Sequence, residues 1–95
     1  MAIKGYKDKR TRQFAEGVAI RQFSPFRRQA ERRLEVLDAA QDLQVLRALR
    51  SNRFEALKGD RKGQYSLRIN NQWRICFTWP KGQDGPDDVE ITDYH

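Results

Sequence analysis

Near residue 53 the spacing of apolar residues changes from helical to alternating, and that switch constrains the fold more than any other feature. Before it, Phe26, Ala30, Leu34 and Leu37 recur at spacings of four, four and three, the pattern of a single buried helix stripe. After it, Tyr65, Leu67 and Ile69 alternate with Ser66, Arg68 and Asn70. Trp73, Ile75, Phe77 and Trp79 then alternate with Arg74, Cys76 and Thr78, and Val89 and Ile91 repeat the pattern near the end. Helices followed by strands, rather than interleaved with them, imply an α+β fold and not a doubly wound sheet. The expectation is two to three N-terminal helices packed on an antiparallel-rich sheet of four to five strands. With 95 residues there is material for one domain, spanning 1–95, and no room for a second core.

The boundaries follow from local chemistry. Residues 2–7 suggest a short first strand, with Ile3 and Tyr6 inward. Residues 8–22 read as a helix capped by Asp8 or Thr11, with Phe14, Val18 and Arg21 on one side; Gly17 weakens it by roughly 1 kcal/mol. Ser24-Pro25 reads as the start of the next helix, which runs to about residue 40: serine accepts from a free N–H, and proline at the first helical position loses no bond. A third helical turn over 42–49 buries Leu43, Leu46 and Leu49. Phe54, Ala56 and Leu57 suggest a short strand, and residues 59–63 a turn with glycine at both ends. Asn70-Asn71 in positive φ would close a hairpin, and residues 80–86 form a loop before the last strand.

Charge narrows the partners. Nineteen lysines and arginines face thirteen acids, a net of +6, but residues 80–95 hold five acids and one base. The remainder therefore carries 18 bases against 8 acids. Such a body attracts polyanions, chiefly nucleic acid or an anionic membrane, although a solvated basic surface has the same composition. Arginine outnumbers lysine, which favours planar contacts to phosphate. No apolar run reaches the ~20 residues of a membrane span. The opening MAIKGYKDKR has no apolar h-region, so no secretory leader is expected, and a reducing, cytoplasmic setting fits a chain with one cysteine. One cysteine and one histidine also exclude a multi-cysteine zinc site and a histidine metal cluster.

The polar side of the strands holds Ser66, Arg68, Arg74, Cys76 and Thr78. Arg68 and Arg74 lie two residues either side of the 70–72 turn and share a parity, so they should meet across the hairpin. Their repulsion would be offset by a polyanionic ligand or by a neighbouring acid such as Glu90 or Asp93. Lys58, Arg61 and Lys62 add bases on the preceding turn, and the chain closes on Asp93, Tyr94 and His95. His95 is the side chain that ordinarily titrates near neutrality, and Tyr94 can bond a phosphate or stack on a base. These pieces fit RNA cleavage without metal, in which the substrate's own 2′-hydroxyl attacks, cations hold the phosphate and an acid protonates the leaving oxygen. There is no acidic cluster suited to a two-metal nuclease, no P-loop motif, and no recognition helix typical of a DNA-binding regulator. Cys76 reads as a small sheet residue rather than a nucleophile.

The run LKGDRKGQYSLRINNQWRICFTW, followed by VEITDYH, resembles the HigB-type branch of the RelE-like toxins, most strongly over residues 53–95. The resemblance implies a RelE-like α+β fold and a ribosome-dependent mRNA endonuclease acting in the ribosomal A site, with no cofactor. A non-catalytic RNA- or ribosome-binding inhibitor of the same fold is the alternative. Implied partners are the ribosome and mRNA and a HigA-type helix-turn-helix antitoxin, through which alone operator DNA is bound. By position, Arg74 matches the arginine that stabilises the scissile phosphate. Asp93, Tyr94 and His95 match the terminal catalytic triplet, His95 as acid or base, Asp93 orienting it and Tyr94 positioning the nucleotide. Lys58 matches a basic position before the glycine turn; Arg61 and Lys62 resemble RNA contacts, and Arg68 joins them as an RNA-binding residue. Where some relatives have histidine three residues before the lysine, this chain has Glu55, a candidate general base.

Overall fold

The computed structural model describes residues 2–93. Three α-helices, α1 (Lys9–Ala15), α2 (Arg27–Ala39) and α3 (Leu43–Ala48), precede a sheet of β1 (Glu55–Ala56), β2 (Gln64–Arg68), β3 (Arg74–Thr78) and β4 (Asp87–Thr92). The strands pair antiparallel in the order β1-β2-β3-β4. This is the expected α+β layering. The residue 2–7 segment does not form a ladder strand. It runs parallel to β4 with a single bridge, Tyr6 to Val89, and Lys4 N–H donates to the Pro86 carbonyl at 2.7 Å. Beside that bridge β4 carries a bulge: Cys76 faces Glu90 and Thr78 faces Asp87, leaving Asp88 at φ 50° as an extra residue. Gly85 permits the close approach of the N-terminal segment, since a Cβ there would overlap the Ala2 carbonyl oxygen.

α1 is shorter than the sequence predicts. Gly17 adopts φ 99°, its N–H donates to Phe14 and that of Val18 to Gln13 at 2.9 Å, a C-terminal motif that stops the helix. Val18 is therefore exposed rather than aligned with Phe14. Asp8 is the cap, accepting from the Thr11 N–H at 3.2 Å, while Thr11 is buried and its hydroxyl oxygen accepts from the Ile91 N–H, tying α1 to β4.

The start of α2 is also displaced. Ser24 and Pro25 sit inside a 3₁₀ helix, Arg21–Phe26, and α2 begins at Arg27. Side chains three apart eclipse in a 3₁₀ turn, so this geometry drives Phe23 and Phe26 into the core together, which a serine cap at residue 24 would not. From there the predicted stripe holds, with Phe26, Ala30, Leu34 and Leu37 all buried. Asp42 caps α3 through the Val45 N–H, and Leu46 is buried, but α3 ends at Ala48 and Leu49 faces solvent.

The sheet's inner face (Leu67, Ile75, Phe77, Val89 and Ile91) meets the helices in one core. Trp73, immediately before β3, packs on Phe26 and Phe23 at ring separations of 5.0 and 5.8 Å. The aromatic cluster thus anchors the hairpin end at the residue preceding Arg74. Among the described residues, no helix is long and apolar enough to cross a membrane.

Candidate active site

The hairpin turn brings the site's arginines together. Neither Asn70 nor Asn71 takes positive φ, contrary to the sequence expectation. Instead the Asn70 side-chain oxygen accepts from the N–H groups of Gln72 (2.8 Å) and Trp73 (2.7 Å), so a side chain does the work of the turn. The resulting register sets Arg68 opposite Arg74, as parity predicts, with Ser66 opposite Cys76 and Glu55 opposite Ser66.

Ser66 and Cys76 are not solvated, however; both are buried. Parity correctly puts them on the outer face but does not reveal that long charged side chains fold back over it. Arg74 donates from Nε to Ser66 Oγ (2.8 Å) and from Nη2 to the Arg53 carbonyl (2.8 Å), and pairs with Glu55 at 3.3 Å. Arg61 turns onto the same face, bonding Gln64 at 3.0 Å and pairing with Glu90 at 3.4 Å. Burial pushes the Cys76 thiol up to about 11, with Glu90 adding to the rise and Arg61, Arg74 and Lys7 opposing it. A protonated, buried thiol is a poor nucleophile, which agrees with reading Cys76 as structural.

Beyond this layer, Arg53, Phe54, Glu55, Arg68, Asn70, Asn71 and Arg74 line an open cleft of 400 Å³. Arg68 bonds Asn71 at its rim. Arg74 stands opposite Thr92, so β4 ends beside the cleft, and Asp93 there accepts from Gln72 Nε2 at 2.7 Å. Tyr94 and His95 lie outside the described residues. Lys58, Arg61 and Lys62 are not gathered into the cleft: Leu57 N–H bonds the Gln64 carbonyl, which puts residues 58–62 at the far end of β2 from Arg68. Lys58 and Lys62 are exposed there.

Two residues of the site have no counterpart in the sequence reading. Arg53, in left-handed backbone at φ 47°, offers its carbonyl to Arg74 and lines the cleft. Arg33 of α2 reaches across to donate to the Arg68 carbonyl (3.0 Å), Asn52 Oδ1 (3.0 Å) and the Ser51 carbonyl (2.9 Å). Burial lowers its pKa, with the Arg32 charge a second cause, but a guanidinium keeps its charge. The spacing Arg47, Arg50, Arg53 was a visible signal for the first; nothing local marks the second. Among the described residues, no group of three histidine, cysteine or acidic side chains is arranged to hold a metal.

Helices packed on one face of an antiparallel sheet, with arginines converging where its last strand ends, define a RelE-like α+β protein. The family model described as a RelE-like toxin of type II toxin–antitoxin system HigB matches residues 4–95, and the chain belongs to this HigB-like toxin family. It is also 42% identical over 84 residues to Toxin HigB-1 of Vibrio cholerae serotype O1, covering 86% of this chain and 87% of that protein. The chain is thus the toxin of a type II system, and a toxin of this type has an antitoxin partner.

Proposed function

We propose that this toxin is a ribosome-dependent mRNA endonuclease that cuts in the ribosomal A site, acting in the cytoplasm and held inactive by a HigA-type helix-turn-helix antitoxin that carries the pair to operator DNA. The observation that carries the reading is the pairing of Arg68 with Arg74 across the hairpin, next to the end of β4. Two arginines at opposed positions beside the hairpin turn, both lining the cleft, suit a phosphate whose charge rises as it becomes pentacovalent, and preorganised donors stabilise such a transition state without reorganising.

In the proposed mechanism the scissile phosphate takes the place of Glu55 on Arg74. The freed Glu55 carboxylate accepts the proton of the ribose 2′-hydroxyl as its oxygen attacks phosphorus. The bond to the 5′-oxygen breaks, His95 protonates that oxygen, and the products are a 2′,3′-cyclic phosphate and a 5′-hydroxyl. Asp93 orients His95 and Tyr94 positions the nucleotide, while Arg68, Lys58, Arg61 and Lys62 hold RNA. Proton transfer and charge stabilisation both come from side chains, so the reaction needs no metal.

The Glu55–Arg74 pair also favours a second reading, inhibition by occupancy, because a carboxylate on the phosphate-binding guanidinium weakens catalysis. Expression in cells separates the two. Growth arrest with cut mRNA in the wild type, and neither with His95→Ala, supports cleavage; arrest with intact mRNA supports occupancy.

A further inference from the structure

We infer that Arg50 and Arg53 form a second phosphate subsite that carries the RNA backbone past the cleft, along the turn after α3. The inference rests on the reading of the cleft as an RNA site and extends it. Arg50, Ser51 and Arg53 line a depression of 480 Å³, and Arg53 also lines the 400 Å³ cleft of Arg68 and Arg74, so the two recesses adjoin at one residue.

The turn is rigid. Asn52 is fully buried, donates to the Leu46 carbonyl at 3.0 Å and accepts from Arg33 at 3.0 Å, and Arg33 also bonds the Ser51 carbonyl. Arg50 and Arg53 therefore project from a fixed backbone, which lowers the ordering cost of binding.

Among the described residues their charge has no ion-pair partner: no carboxylate pairs with Arg47, Arg50 or Arg53. The nearest acids in sequence are committed elsewhere, Asp42 to the Val45 N–H and Glu55 to Arg74. Arg47 lies over the Phe54 ring at 4.9 Å, adding positive charge behind the cleft wall. A row of exposed arginines with no ion-pair partner among the described residues, adjoining the cleft of Arg68 and Arg74, fits consecutive phosphates of one RNA strand.

The test is the salt dependence of binding to a fluorescein-labelled single-stranded RNA of about ten nucleotides, read by anisotropy with Arg50→Gln, Arg50→Gln/Arg53→Gln and a control, Lys81→Gln. Lys81 is exposed in the β3–β4 loop, at the opposite end of the sheet from the hairpin. Each single-strand phosphate contact contributes about 0.7 to the slope of log K against log salt. The slope should fall by about 0.7 in the single variant and about 1.4 in the double, with no change for the control. An unchanged slope in both variants overturns the subsite, as does failure of the wild type to bind this RNA. A change seen only with ribosomes would assign Arg50 to ribosomal RNA and overturn it equally. Cleavage on ribosomes with an unchanged slope leaves the nuclease reading standing; a reduced slope without cleavage by the wild type sinks that reading and leaves the subsite.

Discussion

Arg33→Met should destabilise the protein by about 2–4 kcal/mol, more than its half-buried place on α2 suggests. The methionine keeps most of the apolar stem and removes the guanidinium, which donates three hydrogen bonds of 2.9–3.0 Å. Two of the acceptors, the Ser51 and Arg68 carbonyls, can be reached by water and recover much of their loss. Asn52 Oδ1 belongs to a fully buried residue and cannot. Stranding one buried acceptor costs about 1–3 kcal/mol, and losing charge-assisted bonds adds to it. In a domain this small each kcal/mol moves the melting temperature by about 4–8 °C, so the Tm should fall by roughly 8–32 °C. Urea unfolding followed by circular dichroism measures the free energy. Arg33→Lys, a point charge without the planar fork, should recover only part of it. A double-mutant cycle with Asn52→Ala should show coupling above about 0.5 kcal/mol. A loss below about 0.5 kcal/mol in Arg33→Met, or strict additivity with Asn52→Ala, would refute the reasoning.

Three further outcomes are expected. Arg74→Ala should reduce cleavage by about 10²–10³-fold while the circular dichroism spectrum stays native; cleavage at the wild-type rate would remove Arg74 from the phosphate. Cys76, with its thiol pushed up to about 11, should resist alkylation at pH 8 until the protein is unfolded. Its linkage has a definite sign: the native thiol holds its proton where the unfolded one has lost it, so this contribution to stability is intact below pH 9 and lost between pH 9 and about 11. Rapid labelling of the native state would contradict that burial. Glu55→Ala should lower the rate of cleavage on ribosomes, and a wild-type rate would exclude the carboxylate as the base.

What could be read from the sequence was what parity and helical spacing encode. The stripe from Phe26 to Leu37, the inward set Leu67, Ile75, Phe77, Val89 and Ile91, and the meeting of Arg68 with Arg74 are all consequences of period. What escaped depends on contacts between distant residues or on backbone choices that several residue types can make. Gly17 could weaken a helix or end it, and only packing on the sheet decides that it ends α1. Asn70 closes the hairpin with its side chain rather than its backbone, an option open to the same residue. Arg33 is 35 residues from the carbonyl it supports, so no local pattern distinguishes it from the solvated arginines beside it. Ser66 and Cys76 look solvent-facing because alternation says nothing of Arg61 and Arg74 lying across them.

The nucleophile is the most exposed point of the mechanism, and one substitution in the RNA isolates it. Ribosomes programmed with a message carrying a single 2′-deoxyribose at the nucleotide 5′ to the cut should leave that message whole, while the all-ribose message is cleaved to a 2′,3′-cyclic phosphate. Scission of the deoxy message at the ribose rate would contradict attack by the substrate's own hydroxyl, and with it the roles assigned to Arg74, Glu55 and His95.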